Sequence, residues 1–180
     1  MSPSKKKSPV EVQLDLFENP DDTMKASSAK FSPDRLHRYA LWRVWDNSLP
    51  VAMFIGLNPS TADEIKNDNT VTKCINYART WGYGGMIMSN IFAYRATNPE
   101  DMKAVPDPVG PDNDKWLLKL AKEAKLIVAA WGNRGEHMDR GKAVRELFKN
   151  KSMHCLAMNN TGHPKHPLYC KNSLSPLPID

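Results

Sequence analysis

Four apolar runs, separated by stretches of helical spacing, constrain this chain more than anything else in it. The runs are Pro50-Val51-Ala52-Met53-Phe54-Ile55-Gly56, Gly85-Met86-Ile87-Met88-Ser89-Asn90-Ile91, Leu126-Ile127-Val128-Ala129-Ala130-Trp131-Gly132 and Met153-His154-Cys155-Leu156-Ala157-Met158. A short apolar run without polar alternation reads as a strand buried on both faces. Residues 70–81 space Val71, Cys74, Ile75 and Ala78 along one helical face, with Gly82 as a stop. Residues 111–125 open on a proline and group Trp116, Leu117, Leu120, Ala121 and Ala124. Residues 138–149 turn Val144, Leu147 and Phe148 inward. Strands alternating with helices predict an α/β fold, a three-layer sandwich around a mainly parallel central sheet of about four strands. Aromatic and β-branched enrichment adds a strand over residues 38–45.

In a parallel sheet the carboxyl ends of the strands meet at one edge, and ligands sit in the crevice beyond it. Polar residues close each run at that edge: Asn58, Asn90, Asn133 and residues 159–166. Asn and Gly also make good turns, so each alone has a plain structural reading. Two segments say more. In Gly56-Leu57-Asn58-Pro59-Ser60-Thr61-Ala62-Asp63 the glycine permits close backbone approach and the proline stiffens the turn. The Asn58 amide can orient a water or hold the polar edge of a ring. Asp63 and Asp68 follow as candidate carboxylate bases. Helix capping is their structural alternative, and Asp63 is the one expected to cap. In Gly162-His163-Pro164-Lys165-His166-Pro167-Leu168 two His-Pro pairs frame one loop. An imidazole there can donate to an oxygen on which charge develops, and Lys165 can meet a phosphate. His163 and His166 have no third ligand at a suitable spacing, so no metal and no cofactor is expected.

Composition bounds the rest. The chain has 180 residues, 41% hydrophobic and 25% charged, enough for one self-sufficient core plus an appendage. Residues 1–30 carry five Lys and five acidic side chains, so the net charge of +5 lies in residues 31–180 and leans toward an anionic partner. Cys74, Cys155 and Cys170 are far apart and odd in number, which argues against a disulfide framework and a zinc site. No apolar run reaches membrane-spanning length, and Met1-Ser2-Pro3-Ser4-Lys5 opens no signal peptide. A cytoplasmic monomer with no membrane partner is therefore expected. Residues 1–30 read as a disordered tail, with too little apolar surface to offset the entropy of ordering, and residues 31–180 as the folded domain.

The order of these motifs resembles that of the uracil-DNA glycosylase superfamily. Met53-Phe54-Ile55-Gly56-Leu57-Asn58-Pro59-Ser60 is similar to the Gly-Ile-Asn-Pro-Gly water-activating loop of the mismatch-specific type. The segment from Met86 to Ala96 resembles the strand carrying the base-reading Asn, Ile127-Val128-Ala129-Ala130-Trp131-Gly132 the penultimate strand, and His163-Pro164-Lys165-His166-Pro167-Leu168 the His-Pro-Ser-Pro-Leu loop. Over residues 31–178 the chain more closely resembles the bacterial and phage family DUF1643, a domain of unknown function. Leu57-Asn58-Pro59-Ser60-Thr61-Ala62-Asp63, Tyr94-Arg95-Ala96-Thr97, Asp107-Pro108-Val109-Gly110-Pro111 and Gly162-His163-Pro164-Lys165-His166-Pro167-Leu168-Tyr169 carry that likeness. The glycosylase resemblance implies hydrolysis of an N-glycosidic bond in DNA. It implies Asn58 as the residue that positions water and His163 as the one that stabilises the departing base. It implies Asn90, with Leu57 and Asn133, against the base, and Ser60, Lys165 and His166 near DNA phosphates. No Asp stands inside the Gly-Leu-Asn-Pro loop, as it does in the fastest uracil enzymes, and no cysteine cluster allows an iron–sulfur centre. Arg95-Ala96-Thr97 and the insert at residues 63–70 have no counterpart, which leaves the base itself open.

Gln13-Leu14-Asp15-Leu16-Phe17 is an apolar island in the tail that resembles the pentapeptide docking bacterial proteins on the replicative sliding clamp. A short strand of that kind seats Leu16 and Phe17 in an apolar pocket while Gln13 makes polar contacts. A chance island, or a strand packed on the domain, is the alternative. DNA and the sliding clamp are thus the expected partners. Three functions stand as rivals: a DNA glycosylase acting on a damaged, mismatched or modified base, a non-catalytic reader of such a base, and a hydrolase of free nucleosides or nucleotides.

Overall fold

The computed structural model describes residues 26–179, so the pentapeptide Gln13–Phe17 lies outside the described residues. Seven strands form one sheet: β1 (Ala26–Phe31), β2 (Arg38–Val44), β3 (Val51–Gly56), β4 (Gly85–Asn90), β5 (Leu126–Ala129), β6 (Met153–Cys155) and β7 (Leu177–Ile179). Their order is β1-β2-β4-β3-β5-β6-β7. The four apolar runs are the central strands β4, β3, β5 and β6, and they pair parallel. The expectation of a mainly parallel sheet of about four strands needs correction, because antiparallel strands extend it on both sides into a mixed sheet. Ala26–Lys30, expected in the tail, is most of the edge strand β1. Its Ala and Ser side chains are too small to give an apolar signal, yet most of them are buried. β7 has three residues, one of them proline, as befits an edge.

Among the described residues four helices cover the sheet: α1 (Asn69–Thr80), α2 (Pro99–Lys103), α3 (Asn113–Leu120) and α4 (Arg140–Leu147). The period of two along each strand divides the core. Ala52 and Phe54 of β3 join Met86, Met88 and Val128 under α1, where Val71, Cys74, Ile75 and Ala78 pack. Met53 and Ile55 face the other side, against Leu117 and Leu120 of α3 and Val144 of α4. Helices therefore lie on both faces of the sheet. Among the described residues no helix is long and apolar enough to cross a membrane.

α1 has the expected length, whereas α3 and α4 are shorter than their apolar spacing predicted. Residues 133–139 make a 3-10 turn in which Met138 and Asp139 take positive φ (56° and 52°), delaying α4 to Arg140. Asp68, not Asp63, is the cap of α1, its carboxylate accepting from Val71 N at 2.9 Å.

Candidate functional site

The carboxyl ends of β3, β4, β5 and β6 open on a cleft of about 860 Å³. Leu57, Asn58, Ser60, Asp68, Asn133, Lys165 and His166 line it, joined by Trp131, Asn159 and the exposed Leu168 and Tyr169. At its inner end a chamber of about 40 Å³ is walled by Arg38, Gly56, Asn58, Asp68, Asn90 and His166 among others. Strand-to-strand hydrogen bonds hold the cleft rim. Ile91 N and Phe92 N donate to the carbonyls of Gly56 and Leu57, and Gly132 N, at φ 72°, donates to Pro164 O at 2.8 Å.

Asn58 is fixed by its backbone surroundings. Its Nδ2 donates to the carbonyls of Pro59 (3.0 Å) and Ala96 (2.8 Å). Two carbonyl partners can only meet the amide nitrogen, so the orientation is set and Oδ1 is the group left to accept. His166 has the complementary polarity. Its Nδ1 accepts from Leu168 N at 3.3 Å, which puts the proton of the neutral ring on Nε2. Burial holds its pKa below the ordinary histidine value, and the Asp68 carboxylate offsets part of that.

Asn90 sits behind Asn58, 1% exposed. Its backbone is anchored from the α3 side. Asn113 Nδ2 donates to the carbonyls of Asn90 and Ile91, while Arg140 Nε donates to Ile91 O and its Nη2 pairs with Asp114. Gly56 makes room for the Asn90 side chain, since a Cβ there would stand 2.8 Å from Asn90 Oδ1. Asn90 Nδ2 and Arg38 Nε are buried without a partner among the described residues. Both atoms belong to residues that wall the chamber.

Two expected residues lie elsewhere. Asp63 does not line the cleft. Its carboxylate accepts from Lys66 N (2.7 Å) and Ile65 N (2.9 Å), and these bonds hold its pKa below the usual carboxylate value. His163 faces a separate cleft of about 740 Å³ with Lys142, Arg145, Lys149 and Lys151. The loop doubles back on itself: Lys165 N donates to Ala157 O and Asn159 N to His163 O, which turns His166 rather than His163 toward Asn58. At Asn133 the side-chain oxygen accepts from Asn159 Nδ2 (2.7 Å) and Thr161 Oγ1 (2.6 Å), linking two cleft loops.

The buried arginines of β2 were missed, because a cation inside an aromatic strand reads as solvent-facing alternation. Arg38 and Arg43 are 2% and 1% exposed. Arg38 Nη1 donates to Ala62 O at 2.7 Å, and burial pushes its pKa down to about 10. Arg43 donates to the carbonyls of Ser28, Trp42, Asp63, Glu64 and Lys66 and to Asn67 Oδ1. Together they tie down the 61–67 loop, which delivers Asp68 to the cleft. Among the described residues no group of three or more His, Cys, Asp or Glu side chains is placed to hold a metal ion.

The profile of a family described as proteins of unknown function, DUF1643, matches residues 38–168, well over half of the chain. The chain belongs to the DUF1643 family. In this DUF1643 member the match starts at the buried Arg38 and ends at the cleft residue Leu168, so it takes in every cleft-lining residue except Tyr169. The edge strands β1 and β7 fall outside the DUF1643 span. No curated protein and no solved structure matches the chain.

Proposed function

We propose that the cleft hydrolyses the N-glycosidic bond of a damaged, mismatched or modified base in DNA, on a uracil-DNA glycosylase-like fold. The observation that carries this reading is the paired polarity at the cleft's inner end, with Asn58 Oδ1 as a fixed acceptor and His166 Nε2–H as a donor on a neutral ring. A base extruded from the duplex enters the cleft beside Leu57 and Asn133, with its polar edge toward the chamber in which Asn90 lies behind Asn58. A water held by Asn58 Oδ1 bonds to C1′ as the C1′–N bond breaks, and the electron pair leaves with the base. The water's proton passes to Asp68, which lines both the cleft and the chamber. His166, taking the role that the sequence resemblance gave to His163, donates to the base oxygen where the anion develops. Lys165 and Ser60 on the rim meet phosphates, and the exposed Leu168 and Tyr169 supply apolar surface to fill the space a base vacates.

The test is abasic-site formation on duplexes carrying uracil, hypoxanthine, 5-hydroxymethyluracil and hypermodified pyrimidines. On a base the protein releases, Asn58→Ala and His166→Ala each slow release by about 100-fold to 1,000-fold with DNA affinity within a few-fold. Lys165→Ala instead weakens binding and its dependence on salt. Full activity in Asn58→Ala would end the water-positioning assignment. A panel with no release, together with selective binding of one modified duplex, would replace the enzyme with a non-catalytic reader.

A further inference from the structure

Beside the main cleft lies a recess of about 400 Å³ lined by Arg35, Arg95, Ser60, Thr61 and Thr97 together with Leu36 and Ala96. Ser60, Thr61 and Thr97 line the main cleft as well, so the two spaces share a rim. We infer that this recess is a phosphate subsite, which grips a phosphate of the same nucleotide chain whose base occupies the cleft. The inference rests on the reading above only for the source of that phosphate.

The two guanidinium groups are placed in advance. Both lie over the ring of Phe31, Arg35 at 3.9 Å and Arg95 at 4.8 Å from its centre. Contact with an aromatic face orients a guanidinium plane and leaves its N–H edge free to donate. Arg35 holds positive φ (59°) and is fixed by Glu64 through two bonds, 2.7 and 3.1 Å. Its carbonyl in turn accepts from Arg95 Nη1 at 3.3 Å. Arg95 differs from Arg35 in having no carboxylate partner among the described residues, and its buried Nε has no acceptor there. Glu64 is engaged by Arg35, and the Asp63 carboxylate acts on both cations from the next loop without pairing with Arg95, whose guanidinium stays available to an incoming anion. The adjacent donors are hydroxyls: Ser60 Oγ stands 3.5 Å from Thr97 Oγ1, and Thr61 is beside it. A planar cation flanked by hydroxyls matches the non-bridging oxygens of a phosphate, which accept several hydrogen bonds at once.

Two probes and one chemical deletion test this. The first probe is a short duplex with one tetrahydrofuran abasic analogue, read by fluorescence anisotropy, and the second is thymidine 5′-monophosphate, read by calorimetry. Arg95→Gln should bind the duplex about 10-fold to 100-fold more weakly than the wild type. Replacing the phosphate next to the abasic analogue with a methylphosphonate should weaken the wild type by a similar factor and leave Arg95→Gln unchanged. Arg35→Gln, at a side chain 51% exposed, provides a second variant should Arg95→Gln fail to fold. Methylphosphonate penalties equal in wild type and variants, or none at any phosphate flanking the analogue, would overturn the subsite while leaving DNA binding intact. Arg95-dependent binding of the monophosphate with no binding of the duplex would support the subsite and overturn DNA as the substrate. A wild-type protein that binds neither probe would overturn both.

Discussion

A single methyl group at position 56 is the smallest change that reaches the site. The added Cβ would stand 2.8 Å from Met88 Cε and from Asn90 Oδ1. The methionine end can swing away, but the asparagine is buried with its backbone anchored by Asn113. Gly56→Ala is therefore expected to cost about 1–3 kcal/mol in urea unfolding, and to displace Asn90. His166 gives the second residue-scale expectation. Its folded pKa lies below the ordinary histidine value, so between that pKa and about 6.5 the unfolded chain binds more protons than the folded one. The His166 contribution is fully present above pH of about 6.5 and is lost as pH falls through the folded value. Unfolding curves from about pH 5 to about pH 7.5 should show stability rising with pH. The rise should be shallower in His166→Asn, and an unchanged slope would show that the ring gains nothing by staying neutral.

At the scale of elements, the 61–67 loop depends on β2. Arg43→Gln removes the guanidinium from the part-buried carbonyls of Asp63, Glu64 and Lys66, of which Glu64 and Lys66 keep a second donor in Ser27 and Asp63, which should cost about 1–3 kcal/mol. Amide exchange in residues 61–68 should rise in this variant even where the core of the sheet stays protected. The sequence hid this dependence for a physical reason. The four central strands are legible because short continuous apolar runs closed by Gly or a nearby Asn have few other solutions, and their parallel pairing puts Asn58, Asn90, Asn133 and His166 at one edge. Burial of Arg43, by contrast, is decided by carbonyls from distant loops, which no local pattern records. The same limit explains the exchange of Asp63 for Asp68 and of His163 for His166. Each pair sits within a few residues on one loop, and only the turn geometry decides which side chain faces the cleft. β1 was invisible because its buried residues before Phe31 are an alanine and two serines.

For the whole molecule, two expectations concern DNA. A peptide of residues 8–20 should bind a bacterial sliding clamp, and changing both Leu16 and Phe17 to Ala should cost more than about 2 kcal/mol by calorimetry. Equal binding of both peptides would remove the clamp from the list of partners. The tail is charge-balanced, so the salt dependence of duplex binding should reside in residues 31–180 and survive deletion of residues 1–25. The way Arg43 holds the loop has an effect on how the protein denatures. Its head group is chemically the guanidinium ion, and five backbone carbonyls accept from it. Molar guanidinium chloride supplies a free copy of that ligand, whereas urea supplies none of its charge. The two denaturants should therefore disagree, with guanidinium releasing the loop and silencing the cleft well before the sheet unfolds, and urea losing both in one transition.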